Sequence, residues 1–379
     1  METSVYIHIP FCRAKCYYCD FLSFAYSATN FSPRDYVRAL IKELSIRGQQ
    51  LSDAGIMVST LYIGGGTPTA LPTVELATLL DNCHRYLPLS SPEWTVEANP
   101  GTITPELVKL LGQAGVNRIS LGVQDLDDHR LALLGRLHTA ARAQQAFLLC
   151  QDSFPSVSLD IMAALPGQTE AQLLTTLATV CDWAPQHLSV YGLKVEEGTP
   201  LATQVASGHL QLPDEDETLA MFLSGRQFLQ AQGYQHYEIA NFAQTGHRSL
   251  HNQTYWHNHP YLGLGLGAHS YWQGRRLENT CQPELYLQQL AMGQLPLAVS
   301  HAVTREQEME DTMMLGLRLL SGVRFDVFQA RFQQDLRHVF AKEIKHLLAL
   351  GAIVTDNTAI RLSEAGLPVA NLVFAEFLR

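Results

Sequence analysis

No apolar run in the 379-residue sequence approaches the roughly eighteen residues that a membrane-spanning helix needs, which excludes an integral protein built on such helices. The first residues, Met1-Glu2-Thr3, lack the basic start of a secretory signal. Positive charge is in short supply. Against 36 Asp and Glu stand 26 Lys and Arg, and the net charge of −10 argues against a broad nucleic-acid-binding face. Cysteine occurs 7 times, an odd number without the pattern of a disulfide framework, which suits a reducing, cytoplasmic setting. What remains is an ordinary globular composition, 46% hydrophobic and 16% charged, in a chain long enough for a large barrel and a smaller module.

The cysteines that do cluster are Cys12, Cys16 and Cys19, directly after the apolar alternation Val5-Tyr6-Ile7-His8-Ile9. Grouped thiolates suit zinc or an iron–sulfur cluster. Zinc calls for a second ligand pair of related spacing, and Cys83, Cys150, Cys181 and Cys281 all stand alone. Three thiolates on a four-iron cluster leave one iron without a protein ligand. An open position is what a metal site keeps when it binds a substrate. The x3 and x2 spacing, with Tyr18 before the last cysteine, resembles the signature of the radical S-adenosylmethionine (SAM) superfamily. That resemblance implies a [4Fe-4S] cluster on Cys12, Cys16 and Cys19, its free iron chelated by the amino and carboxylate groups of SAM.

From residue 5 to about 195, short β-rich runs alternate with helical stretches. The predicted strands are Val5–Ile9, Thr60–Ile63, Trp94–Glu97, Arg118–Leu121, Val157–Ile161 and Leu188–Tyr191. Ser32 before Pro33 and Thr104 before Pro105 are helix starts, and Gly115 is a stop. Further helices are expected at Val74–Tyr86, Thr139–Gln151 and Thr169–Asp182. Six βα units in succession imply an α/β fold, a parallel sheet closing as a partial (β/α)6 barrel. The unusual residues fall just after the strands. The cysteines follow the first and Gly64-Gly65-Gly66-Thr67-Pro68 the second; Glu97-Ala98-Asn99-Pro100 ends the third, Gln124 follows the fourth and Asp160 lies near the end of the fifth. Parallel barrels gather chemistry at the carboxyl ends of their strands, so a single pocket is expected to collect them all.

Taken alone, the glycine run is a tight turn as readily as a place where bare backbone meets a ligand. Beside the cysteine motif it resembles the glycine motif that holds the amino group of SAM. The same resemblance places Tyr6, Gly64, Gly65, Gly66, Thr67, Glu97, Gln124, Arg136 and Asp160 at SAM-contacting positions. Carboxylates suit ribose hydroxyls and an ammonium, and an arginine suits a carboxylate. The plainer alternatives are solvent ion pairs for Glu97 and Arg136, and caps or turns for Gln124 and Asp160.

Beyond about residue 200 the pattern changes. Pro213-Asp214-Glu215-Asp216-Glu217 starts a helix whose core face holds Met221, Phe222, Phe228 and Leu229, and Tyr234–Asn241 reads as one further strand. Five of the fifteen histidines lie between His247 and His269, around His251-Asn252-Gln253-Thr254-Tyr255-Trp256. Gly263, Gly265 and Gly267 follow, with no strand expected before them and no helix start after, which argues against a dinucleotide loop. Chemistry alone reads this stretch as a solvated polar loop or satisfied histidines, or as the source of an axial haem ligand.

Together the cysteine motif, the glycine motif, Glu97-Ala98-Asn99-Pro100, Leu165-Pro166-Gly167-Gln168-Thr169 and His251-Asn252-x-x-Tyr255-Trp256 span most of the chain. This set resembles the HemW haem chaperones, radical-SAM-type proteins related to oxygen-independent coproporphyrinogen III oxidase. In that family the HNxxYW element is associated with haem binding, which makes His251 the expected axial ligand. The oxidase typically has Gly-Cys after the third cluster cysteine, where this chain has Asp20-Phe21, and it carries an N-terminal extension, whereas here the first strand begins at the terminus. Ala163-Ala164 departs from the family where a glycine is expected before Leu165. The implied function is a chaperone that binds haem, a [4Fe-4S] cluster and SAM and delivers haem to haem-requiring proteins, respiratory and membrane-associated ones among them. The alternatives are radical SAM decarboxylation of coproporphyrinogen III and, less in keeping with the acidic charge, a tRNA-modifying radical SAM enzyme. No nucleic-acid partner is expected, and a homodimer is compatible with the resemblance.

The last part reads as helical at Arg305–Leu319, Asp326–Arg331 and Leu336–Leu350, with a hairpin of Ala352–Thr355 and Ala359–Leu362 and a helix from Ser363. This is winged-helix-like, and such a fold assigns no function by itself. Met309, Met313 and Met314 are expected in its core. The chain thus divides into a partial barrel at 1–200, a barrel extension carrying the HNxxYW element at 201–300, and a smaller mixed α+β C-terminal domain at 301–379.

Overall fold

The computed structural model describes all 379 residues. Strands and helices alternate through the first half: β1 (Glu2–Ile9), α1 (Pro33–Asp53), β2 (Met57–Gly65), α2 (Thr73–Tyr86), β3 (Leu89–Ala98), α3 (Pro105–Gln113), β4 (Arg118–Gln124), α4 (Ala140–Gln151), β5 (Ser156–Ala163), α5 (Glu170–Asp182) and β6 (His187–Gly192). The helix starts use their capping side chains. Ser32 accepts from the Asp35 N–H, Thr104 from Leu107, and Thr169 with Gln172 forms a capping box.

The sheet continues past these six strands. The chain goes on through α6 (Glu215–Ala231), β7 (Gln235–Glu238), β8 (Asn241–Ala243), α7 (Leu250–Trp256), β9 (Tyr261–Leu264), β10 (His269–Trp272), β11 (Arg275–Asn279), α8 (Pro283–Ala291) and β12 (Leu297–Ala302). One 12-stranded sheet results, in the order β12-β11-β10-β9-β1-β2-β3-β4-β5-β6-β8-β7. β9 lies parallel to β1, and the strands added at both edges are antiparallel.

Three expectations are corrected here. Tyr234–Asn241 is two strands, β7 and β8, not one. A strand does precede the glycine series, and Gly263 lies within it, because a Cβ there would sit 2.1 Å from the carbonyl oxygen of His269 on the adjoining strand. The HNxxYW stretch is not a loop but the helix α7, in which His251 is a buried, satisfied histidine while the other residues are half-buried or exposed.

Side chains alternate across each strand. One set, including Val5, Ile7, Leu61, Ile63, Val96, Ile119, Leu121, Leu159 and Ile161, is wholly buried under the helices in a core of 55 residues. The opposite set is polar: Ser4, Tyr6, Thr60, Tyr62, Thr95, Glu97, Arg118, Ser120, Ser158, Asp160 and His187 face the barrel interior. At the amino ends of the strands α7 closes this interior. Its first N–H groups, on Leu250 and His251, donate to the Glu93 carboxylate at 3.1 and 2.9 Å, and Arg118 donates to the His247 carbonyl at 3.0 Å.

A second core of 19 residues runs from Met309 to Phe377 and includes Met313, with Met314 packed against it. It lies between α9 (Arg305–Gly316), later helices and a small antiparallel sheet of β13 (Val323–Arg324), β14 (Ile353–Thr355) and β15 (Ala359–Leu362). It meets the barrel where Glu238 bridges to Leu319 and the Arg318 guanidinium lies 4.4 Å from the Trp256 ring centroid. No helix is long and apolar enough to cross a membrane.

Two consequences for stability follow. Ala164 stands where the resemblance leads one to expect glycine, and its φ is +57°, a left-handed conformation that a Cβ opposes. Relief of that conformation outweighs the extra freedom glycine gives the unfolded chain, so Ala164→Gly is expected to gain up to about 1 kcal/mol in chemical denaturation. Glu238 is buried, and burial pushes its carboxyl up to about 7 against the pull of Arg318. The folded chain thus keeps a proton that the unfolded chain releases near pH 4–5. That stability is present in full below the unfolded value and is lost as the pH rises through about 7. Glu238→Gln is expected to exceed the parent in stability at pH 8 by roughly 1–3 kcal/mol, with the gap narrowing towards pH 5.

Candidate cluster and cofactor site

At the carboxyl ends of the strands lies a cavity of roughly 300 Å³. Cys12, Cys16, Cys19, Gly65, Gly66, Thr67, Glu97, Gln124, Arg136 and Asp160 all line it. The strand-end pattern therefore does converge on one place. Tyr6, Gly64 and His251 are not among its lining residues.

The cysteine segment is strapped to the end of β2. Gly66 N–H donates to the Ile9 carbonyl at 2.8 Å and Thr67 N–H to that of Phe11 at 2.7 Å. A Cβ at Gly66 would stand 2.7 Å from the Phe11 oxygen and 3.1 Å from Cys12 Sγ, so only glycine admits the cysteine loop this close. Gly64 serves a different neighbour, since a Cβ there would lie 2.7 Å from the Glu97 carboxyl carbon. Around the thiols runs a chain of hydrogen bonds. Thr67 Oγ1 donates to Cys12 Sγ (3.5 Å) and accepts from Asn99 Nδ2 (2.8 Å); Arg136 donates to Asn99 Oδ1 (2.6 Å) and to Cys16 Sγ (3.6 Å). The three thiols face a common cavity.

The opposite wall is acidic. Glu97 accepts from Tyr62 Oη at 2.7 Å and from the Gly65 N–H at 3.0 Å, while burial raises its carboxyl above the usual range. Asp160 accepts from Ser120 at 3.1 Å, and burial, then the neighbouring charge of Glu97, pushes it up to about 7. Gln124 has φ +71° and takes a hydrogen bond from the Tyr191 hydroxyl at 2.9 Å. A glutamine held left-handed at a strand end is the kind of stored strain found at ligand sites. Two carboxyls facing one guanidinium suit a ligand that carries an ammonium, hydroxyls and a carboxylate.

Sequence reasoning missed several lining residues. Asn99 lies inside the Glu97-Ala98-Asn99-Pro100 motif, and Ser120 pairs in register with Glu97. Tyr191 lies in the sixth strand and Lys194 just after it, and no functional residue had been assigned to that strand. Period-two counting back from Asp160 and Glu97 onto the neighbouring strands would have found Ser120.

His251 lies at the other end of the barrel, 1% exposed. Its Nδ1 meets Thr60 Oγ1 at 2.7 Å and its Nε2 meets the Tyr255 hydroxyl at 2.8 Å. Thr60 gives its own proton to Ser4, so the imidazole proton is on Nδ1 and Nε2 accepts from Tyr255. Burial lowers this histidine to about 3, a neutral ring. His257 and His259, just beyond the helix, are exposed and stacked 5.5 Å apart.

Comparison with known proteins agrees with this arrangement. The Radical SAM superfamily model matches residues 6–180, and the HemN C-terminal domain model matches residues 303–369. Heme chaperone HemW of Bacillus subtilis is 36% identical over 99% of both chains. The chain belongs to the HemW family. Heme chaperone HemW of Escherichia coli is 39% identical over 73% of each chain. Coproporphyrinogen III oxidase (HemN) from Escherichia coli, described as a radical SAM enzyme, superposes with a TM-score of 0.85 over 99% of this chain and 89% of that one, at 24% identity. The chain therefore has the radical SAM/HemN fold, with its smaller C-terminal domain.

Proposed function

We propose that this protein is a cytoplasmic haem chaperone on a radical SAM scaffold, binding a [4Fe-4S] cluster and SAM and carrying haem as cargo to haem-requiring proteins. The observation that carries the site is the meeting of residues from separate strand ends with three thiols in one cavity. The likeness to heme chaperone HemW over the whole length supports haem as the cargo. Seven free cysteines support a reducing compartment.

Cys12, Cys16 and Cys19 are the residues for the cluster. Glu97 and Asp160 suit the ammonium and ribose hydroxyls of SAM, Arg136 suits its carboxylate, and Gly65 and Gly66 expose backbone groups with Thr67 beside them. Tyr6 and Gly64 act from behind the wall, Tyr6 by backing the Tyr62 ring at 6.1 Å and Gly64 by leaving room for Glu97. Cluster and SAM together supply one-electron chemistry when bound. Arg136, in hydrogen-bond contact with Cys16, offsets thiolate charge, while Tyr18, Met162 and Leu193 screen the cavity from water.

The HNxxYW helix and the residues just after it carry the imidazoles for haem. With the barrel floor closed, the accessible ones are His257 and His259; His251 becomes an axial ligand only when α7 lifts from Thr60 and Tyr255 releases Nε2. The fold likeness to HemN favours coproporphyrinogen III decarboxylation as the second reading.

Replacing Cys12, Cys16 and Cys19 together with alanine is expected to abolish cluster absorbance and the paramagnetic signal of the reduced protein; a full cluster in that variant defeats the assignment. The function itself is tested on one anaerobically reconstituted sample assayed for haem retention and for coproporphyrinogen turnover. Retention without turnover is expected, and turnover selects the oxidase. In Soret titrations of that sample, His257→Ala or His259→Ala is expected to weaken haem binding about tenfold.

A further inference from the structure

The HNxxYW histidine is wholly enclosed, yet it is one ring away from the cavity. Tyr62 stacks on His251 with centroids 5.0 Å apart and planes at 30°, and the Tyr62 hydroxyl donates to Glu97 Oε1 at 2.7 Å. Tyr6 supports the same tyrosine from another side, its ring centroid 6.1 Å away and tilted by 33°. Tyr62 thus spans the barrel from the floor helix to the cavity wall.

We propose that His251 and Tyr62 form a positioning pair that holds the Glu97 carboxylate in the cavity, so that the HNxxYW element acts on ligand binding at the far end of the barrel. This rests on the reading of the cavity as the SAM site. Glu97 has two donors, Tyr62 and the Gly65 N–H, and no side-chain cation is paired with it. A half-buried carboxylate with so few partners takes its position from them. The Gly65 donor is fixed by its strand, so the tyrosine is the adjustable member. Its ring has one flat neighbour whose own orientation is locked at both ends. His251 cannot spin, because Nδ1 is tied to Thr60 and Nε2 to Tyr255. Thr60 in turn bonds Ser4, which pairs with Thr254 of α7 at 2.7 Å. The floor helix, the first two strands and Glu97 are therefore one connected set.

A histidine that merely fills space predicts something different from a positioning histidine. Loss of packing lowers stability but leaves SAM affinity and Tyr62 uncoupled. The test is a double-variant cycle on cluster-loaded protein, anaerobically, with labelled SAM measured by equilibrium dialysis and the SAM-induced change in the reduced cluster's paramagnetic spectrum recorded alongside. Tyr62→Phe keeps the ring and removes the donor, and is expected to weaken SAM about tenfold, as for a lost hydrogen bond to a charged group. His251→Ala is expected to weaken SAM by a similar factor, although it never touches the cavity. The double variant is expected to be no worse than either single, because both act through the same carboxylate. Should His251→Ala not fold, His251→Asn, which keeps a donor near Thr60 but loses the ring, carries the same expectation. Parental SAM affinity and spectrum in the histidine variant, or losses that multiply, overturn the inference. A parent with an intact cluster that binds no SAM overturns the reading of the cavity and the inference with it.

Discussion

A barrel with a polar interior must be closed at the end where no ligand enters, since an unpartnered polar group taken out of water costs on the order of 1–3 kcal/mol. Most of this chain's architecture answers that constraint. At the amino ends of the strands Thr60, Thr95, Arg118, Ser158 and His187 are wholly buried. The closing elements supply most of their partners: His251 for Thr60, the His247 carbonyl for Arg118, and Tyr237 Oη, 2.9 Å from Nε2, for His187. One turn of the strands higher, Tyr6, Tyr62, Glu97 and Asp160 are only partly covered. The gradient identifies which end is built to be completed by something other than the chain.

The half of the chain with alternating strands and helices was legible because its outer face is uniformly apolar and its caps are textual: Ser32, Thr104 and Thr169 each stand where a helix starts. Ten cavity residues could be named, nine because they cluster at strand ends and Arg136 only through the family resemblance; Cys12, Cys16 and Cys19 needed only their spacing. The floor was not legible. α7 is seven residues of mostly polar side chains, and it is helical because Glu93 and Ser249 satisfy its first donors and the barrel beneath it accepts His251. β9 was hidden for a related reason. Its partner β1 lies at the opposite end of the sequence, and its glycine answers the close pass of β10 rather than any local turn.

The glycine motif answers neighbours within the chain as well as lining the cavity. Gly64 and Gly66 read as bare backbone for a ligand, and each is also required by a neighbour within the chain, Glu97 for one and the cysteine loop for the other. Positions that do hold stored strain carry side chains. Gln124 and Ala164 both adopt left-handed backbone, but only Gln124 lines the cavity. Strain at Gln124 aims an amide at the site, whereas strain at Ala164 buys no contact with it.

The proposed role of His251 in haem binding and its burial meet in the chemistry of one atom. Position 251 needs a donor toward Thr60, an acceptor toward Tyr255 and a flat face against Tyr62. Neutral imidazole meets all three; asparagine and glutamine lack the ring, and phenylalanine lacks the nitrogens. The acceptor is the Nε2 lone pair, which is also what a haem iron would take. One lone pair cannot serve the Tyr255 hydroxyl and an iron at once. Closure of the floor and the proposed ligation of haem by His251 therefore exclude each other, and an opening of the floor would also free Tyr62 and, through it, Glu97.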